Sequence, residues 1–555
     1  MSKRRLSVAG MAAIAASAFL YACGGDGSGV DTLATSQTNC ATARDIQLVN
    51  GKIATMAAGN PIVSSANIKN GRFVAVGDQG DRSATACTRV IDLGGRTVIP
   101  GLVDNHMHFV ALGRRPGYDT PIETAASIAD LQQLIRARAL QAPQGEFITT
   151  IGGWNVNQFA ENRMPTLAEL DAAAPKHSVL ITSAATRGAT NSLGKAFFQA
   201  QNVTVGPNGE LSTNADTLRA VFLLKNALTL DQLKRGTQDA MSWAAGLGLT
   251  TVMDMGSNVF TGTETDSIGA FSPYTGYDPV LALSKEDKLK IRLRLNYITL
   301  DTTAELPLLT ARLQNAFRNF GNDMLKTVCM GESVWTLSGP GAVGQGVPAA
   351  PYADAVRKVA ERGECYEQHS LTLASDKAIT DVWEKVNAAI PIKDFRWRVA
   401  HVPFIDQPTV NRLKAMGAGL TLHAVLTSGP PYRMIVDSGI QVGAGSDGRN
   451  SLPGNPWTVL QYMVTGKDRA GALINVGQTL TRAEALRLYT VANGWFSNEE
   501  DLLGSVEVGK LADVAVLSNN FLDAVEVPDD SIGRLTSLLT IVDGKVVHDT
   551  GAIKR

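Results

Sequence analysis

The chain has 555 residues, 44% of them hydrophobic and 19% charged, which excludes the disordered and collagen-like classes. Its 51 basic side chains against 52 acidic ones leave a formal net charge of −1. No long basic run follows the first few residues, so a nucleic-acid partner is not expected. The length suits a large barrel of about 250 to over 400 residues with an accessory domain.

Residues 1–22 read as a signal peptide. Lys3, Arg4 and Arg5 form a positive start, and Val8 to Tyr21 is apolar but shorter than the roughly 20 residues of a membrane span. Leu20-Tyr21-Ala22-Cys23 resembles a bacterial lipobox, which makes Cys23 the expected lipidation site; a plain cleaved signal peptide is the alternative. Residues 23–44 are rich in Gly, Ser, Thr and Asn and read as a flexible tether. The expected location is the bacterial periplasm or cell envelope, with a lipid anchor in the outer or inner membrane. Cys40 and Cys87 flank the first β-rich stretch and are a candidate disulfide in an oxidising compartment. Cys329 and Cys365 lie in apolar segments and read as buried thiols.

Residues 45–97 alternate short apolar runs with turns, and Asn50-Gly51 and Asn70-Gly71 are hairpin signals. Residues 505–555 have the same texture, with Asp543-Gly544 as a further turn. The two ends together are expected to build one small composite β-sandwich domain. Residues 98–504 alternate strand-like and helix-like segments, which argues for parallel βα units and a (β/α)8 TIM-type barrel. The stretch from Ala111 to Ala245 is long for one or two such units and is expected to carry insertions.

His106-Met107-His108 ends the apolar strand VIPGLVDNHMH. Residues i and i+2 of a strand share a face, so both imidazoles can reach one metal. Barrel active sites are built where strands end. His369 closes ECYEQH, His401 closes FRWRVAH and Asp447 closes IQVGAGSD. Lys326 lies in the apolar strand MLKTVCMG, where an unpaired ammonium is costly. Each alone could be a hydrogen-bonding residue or a cap, but the chain has only 7 His, and their placement at strand ends points jointly to a metal centre.

These stretches, with GLTTVMDMG, VGAGSDGRNSLPGNPW, LTRAEALRLYTVANGWF and LGSVEVGKLADVAVL, resemble the amidohydrolase superfamily, in particular amidohydrolase family 3, from about Ile46 onward. The resemblance implies a binuclear divalent centre, two Zn2+ per chain. His106 and His108 would hold the first ion, His369 and His401 the second. Lys326, carboxylated by carbon dioxide, would bridge them. Asp447 would bind the first ion and act as the catalytic proton shuttle. Three stretches depart from the family pattern: Met330-Gly331 stands for Asp-Gly, SAATRGATNS keeps only Asn191-Ser192 of a longer motif, and HSLTLASD is extended before Asp376.

His423 ends GLTLHA and is a candidate substrate contact, as are Trp154 and Trp335, for which core packing is the competing reading. His177 reads as a solvated loop residue. The leading functional expectation is hydrolysis of a C–N bond in a small-molecule amide, formamide, carbamate or cyclic amide. A lactonase or esterase on the same centre and a surface-anchored binding lipoprotein without turnover are the alternatives. Assembly as a homo-oligomer is left open.

Overall fold

A computed structural model describes residues 40, 44–59, 61–78, 85–183, 187–226, 228–256, 276–423, 429–448 and 452–553. The expected signal peptide and Cys23 lie outside the described residues. Among the described residues no helix is long and apolar enough to cross a membrane.

Eight parallel strands carry the centre of the molecule: β1 (Leu102–Met107), β2 (Leu249–Asp254), β3 (Arg292–Tyr297), β4 (Leu325–Met330), β5 (Glu367–Ser370), β6 (Arg398–His401), β7 (Gly419–Leu422) and β8 (Gln441–Ala444). They form two four-stranded sheets, β1 to β4 and β5 to β8, each in sequence order. Strands β1 and β2 are buried at every residue, as expected of parallel strands covered on both faces. A bridge between Met330 and Tyr366 joins β4 to β5. On the opposite side, Asn493 Nδ2 donates to Val103 O in β1 (2.5 Å) and to Ala444 O in β8 (2.7 Å), and its Oδ1 accepts from Ala444 N–H. Helices such as Pro351–Glu361 and Gln407–Ala415 fall between the strands, where the sequence alternates.

The stretch after β1 carries the expected insertion. Strands Tyr118–Asp119, Phe147–Ile151, Ser178–Ser183, Arg187–Thr190 and Glu210–Leu211 form a mixed five-stranded sheet, covered by helices such as Ile128–Ala139 and Leu167–Ala173. Trp154 belongs to the core of this insertion, 1% exposed and stacked near Phe159 at 5.4 Å. Trp335 is buried in the main core, and its indole N–H donates to Gly341 O at 3.0 Å. Both indoles are packed into these cores. His177 is buried too, its Nε2 3.3 Å from Ala142 O, and not solvated.

Strands from both chain ends share one six-stranded sheet, in the order 545–549, 537–542, 514–517, 97–100, 52–54, 62–63. Beside it, strands 72–77, 65–69, 46–49 and 89–92 form a second sheet. Asn70-Gly71 and Asp543-Gly544 are two-residue hairpin turns, with positive φ at all four residues. Asn50-Gly51 is different. Its flanking strands do not pair with each other: 46–49 pairs in one sheet and 52–54 in the other, so the dipeptide carries the chain between sheets. Cys40 and Cys87 are joined as a disulfide. Cys329 in β4 and Cys365 just before β5 are both buried and lie side by side, their Cα atoms 4.8 Å apart.

Candidate metal centre

Five imidazoles and two carboxylates converge at the carboxyl ends of the eight strands. His106 lies in β1 with His108 one residue beyond it; Glu332 follows β4; His369 and His401 lie in β5 and β6; His423 follows β7 and Asp447 follows β8. Glu332 is the hub. One oxygen lies 3.1 Å from His108 Nε2. The other lies 3.1 Å from His369 Nδ1 and 3.5 Å from the Nε2 atoms of His106 and His401. Asp447 Oδ1 lies 3.5 Å from His106 Nε2 and 3.4 Å from His108 Nε2.

The expected bridge, Lys326, is not among them. It sits near the start of β4, four residues before the strand's end, about 13 Å away at roughly 3.3 Å per residue. It pairs in register with Arg294, and both cations converge on Glu499, Lys326 Nζ at 2.7 Å from Oε1 and Arg294 Nε at 2.6 Å from Oε2. The half-buried ammonium is thus compensated at the amino end of the strands, and Glu332 takes the central position that the sequence assigned to Lys326.

A second layer of buried groups orients the first. Glu367 bonds His106 Nδ1 and accepts from Arg398 Nε (2.6 Å), so the His106 Nε2 faces inward. Asp104 accepts from the backbone N–H groups of His106 (3.0 Å) and Ser446 (3.0 Å), tying β1 to the Asp447 loop. Gly445 makes this approach possible, because a Cβ there would lie 2.5 Å from His106 N. Asp254 accepts from Val110 and Gly256 N–H groups and thereby sets the turn on which His108 Nδ1 meets Gly256 O. Backbone strain concentrates at the site: His401, Val402 and Asp447 all have positive φ, at 71°, 42° and 50°.

The electrostatics divide the carboxyls. Burial raises Glu332 and Asp447, but hydrogen bonds and charge from the surrounding histidines overcome it and hold both well below the ordinary range. Burial raises Asp104 to about 7 and Asp254 to about 6, only partly offset by their hydrogen bonds. Burial pushes His423 well below its ordinary value, and His106 and His401 push it further, so it is a neutral imidazole.

The donors fit a divalent ion. The Nε2 atoms of His106, His401 and His423 are buried and have no hydrogen-bond partner. Three groups of three ligand atoms lie within 4.8 Å of one another: His106-His401-His423, His106-His108-Glu332 and Glu332-His369-His401. Sequence reasoning found the histidines and Asp447 but missed Glu332, Glu367, Asp104 and Asp254. Glu367 carried a usable signal: Glu367-Gln368-His369 repeats the i, i+2 spacing of the first histidine pair.

The profile described as Amidohydrolase family matches residues 89–548. The chain belongs to that family. This amidohydrolase is 23% identical over 564 residues to an N-substituted formamide deformylase of Arthrobacter pascens, covering 91% of the chain and 98% of the relative. It is 22% identical to a putative amidohydrolase, YtcJ, of Bacillus subtilis over 83% of the chain and 91% of that protein. Among solved structures, an uncharacterized metal-dependent hydrolase from Pyrococcus horikoshii superposes with a TM-score of 0.54 at 19% identity, covering 86% of the chain and 98% of its own. A triazine hydrolase variant superposes with a TM-score of 0.51 at 15% identity, covering 91% and 95%. These two likenesses concern the fold of the amidohydrolase.

Proposed function

We propose that this amidohydrolase uses a divalent metal, zinc foremost, to hydrolyse a C–N bond of a small amide, formamide, carbamate or cyclic amide. The observation that carries the reading is the convergence of five imidazoles with Glu332 and Asp447 at the ends of eight strands, which we read as a (β/α)8 barrel. The match to a formamide deformylase over nearly its full length supports the C–N assignment.

Imidazole and carboxylate donors suit zinc, and His106, His108, Glu332, His369, His401 and Asp447 are placed to hold it. When bound, such an ion polarises a carbonyl and lowers the pKa of water to about 7. Asp447 is held as a carboxylate and faces the cluster, so it accepts the proton of the attacking water and returns it to the leaving nitrogen as the C–N bond breaks. Glu367 and Arg398 keep His106 turned inward throughout. We also propose export with a lipid anchor at Cys23. The order of charged start, apolar run and Cys supports it, as does the Cys40–Cys87 disulfide.

The test is a hydrolysis screen of N-substituted formamides, N-acyl amino acids, cyclic amides and lactones on metal-stripped and zinc-restored protein. Turnover of a C–N substrate that is lost on chelation and restored by zinc is expected. Turnover indifferent to chelation sinks the reading, and a marked preference for lactones replaces it with the lactonase.

A further inference from the structure

The histidines of the cluster differ in what they already touch. His108 Nε2 and His369 Nδ1 are each 3.1 Å from an oxygen of Glu332, so these donors are occupied by a carboxylate. The Nε2 atoms of His106, His401 and His423 are buried and make no hydrogen bond, although Glu332 lies 3.5 Å from the first two and Asp447 3.5 Å from that of His106. The other nitrogen of His106 is engaged by Glu367, and that of His423 by Gly445 O at 3.2 Å. Those outward bonds fix the rings so that both Nε2 atoms are turned toward the cluster. The three rings pack around one point: His423 lies 4.3 Å from His106 and 4.5 Å from His401, centroid to centroid, and His106 lies 5.2 Å from His401.

A buried nitrogen left without a hydrogen bond is costly. A divalent cation satisfies all three at once. Three protein donors with one open position is also the arrangement of catalytic zinc sites. Each imidazole lone pair serves one ion, so an ion held there withdraws His106 and His401 from the two groups that contain Glu332.

We infer that His423 is a metal ligand, and that the first ion taken up is held by the three imidazoles of His106, His401 and His423. This rests on the metal dependence proposed above and deepens it. The two-ion arrangement expected from the sequence uses neither His423 nor an unshared pair of His106 and His401. Glu332, bonded to His108 and His369, then stands beside the ion as a fixed anion and not as a bridge.

The experiment uses the full chain, stripped with a chelator and titrated with zinc against a chromophoric competitor. X-ray absorption at the zinc edge is recorded with one equivalent bound. The wild type should show three imidazoles on that ion. His423→Asn should show two and bind the first zinc at least about tenfold more weakly, since even outer-shell losses cost 10- to 100-fold. His369→Asn should keep three imidazoles on that ion and lose less affinity for the first zinc than His423→Asn does. Unchanged zinc affinity and imidazole count in His423→Asn overturn the assignment, as does loss of the first zinc in His369→Asn. If His423→Asn does not fold, the wild-type count decides, because two imidazoles per ion overturn the assignment without the variant. A wild type that binds no zinc overturns both this inference and the proposed metal dependence, whereas zinc binding insensitive to His423 overturns this inference alone.

Discussion

At the scale of single residues, the exchange of Lys326 for Glu332 is decisive. The clustered imidazoles were legible because a strand alternates faces and each histidine lies at the end of a strand-like segment. Glu332 was not, because it follows the strand, where no period fixes a side chain's direction. Lys326 was misplaced because an apolar strand with a lysine does not reveal which end the ammonium meets. Glu332→Gln is expected to lower zinc affinity by at least about tenfold, since an anion central to four imidazoles becomes neutral. Lys326→Ala should retain zinc and lose stability instead, by about 1–3 kcal/mol, as Glu499 loses one of two cations. Loss of zinc from Lys326→Ala, measured by metal analysis after gel filtration, would return the lysine to the centre. Asp376 offers a second residue-scale test. It is 1% exposed, its Oδ1 accepts from Ser370, and its Oδ2 has no partner. Burial raises its pKa from 3.8 to about 7, so the folded state keeps a proton that the unfolded chain releases. That contribution is complete below 3.8 and is lost as pH rises through about 7. Urea titrations from about pH 4 to about pH 8 should therefore show wild type losing stability relative to Asp376→Asn, and parallel profiles would refute it.

At the scale of elements, the same two-residue turn sequence does two jobs. Asn70-Gly71 and Asp543-Gly544 close hairpins because the strands on either side find each other. Asn50-Gly51 does not, because better partners for both flanking strands lie elsewhere in the chain. Local turn chemistry names the bend, and only tertiary pairing names what the bend joins. The tail motif LYTVANGWF was recognisable as a pattern without a visible reason. The structure supplies one: Asn493 bonds both β1 and β8, the strands that carry His106 and lead to Asp447. Asn493→Ala removes three buried hydrogen bonds and is expected to cost on the order of 2–4 kcal/mol. Zinc affinity should fall with it, because the two strands lose their shared tie. A thermal melt within about 2 °C of wild type would show that the amide contributes nothing there.

At the scale of the whole molecule, strands from both end regions meet in one sheet, and the central parallel strands are fastened to it. Arg292 at the start of β3 makes a two-pronged buried bond to Asp513, at 2.7 and 2.9 Å. Thr540 in the terminal sheet donates to Ala245 O of the helix before β2. The order of parallel βα units and the shared texture of the ends were legible in the sequence; these fastenings were not, since each joins residues hundreds of positions apart. The proposed anchor is tested at this scale. Wild type should sediment with the membrane fraction and carry an acyl mass at Cys23, and Cys23→Ser should appear in the soluble periplasmic fraction. Wild type found there without acyl mass would refute the anchor.

The shared sheet also has a consequence for the order in which the chain is made. Strand 97–100 pairs with 514–517, so an early strand waits for a partner more than four hundred residues behind it. The central sheet of the accessory region cannot form until residues 514–517 have been made. Contacts that distant are slow to close, and a domain that depends on them stays open while synthesis proceeds. Under the export proposed above this delay would be useful: an unfinished polypeptide remains a thread that a translocation channel can pass, and its final closure would fall on the far side of the membrane.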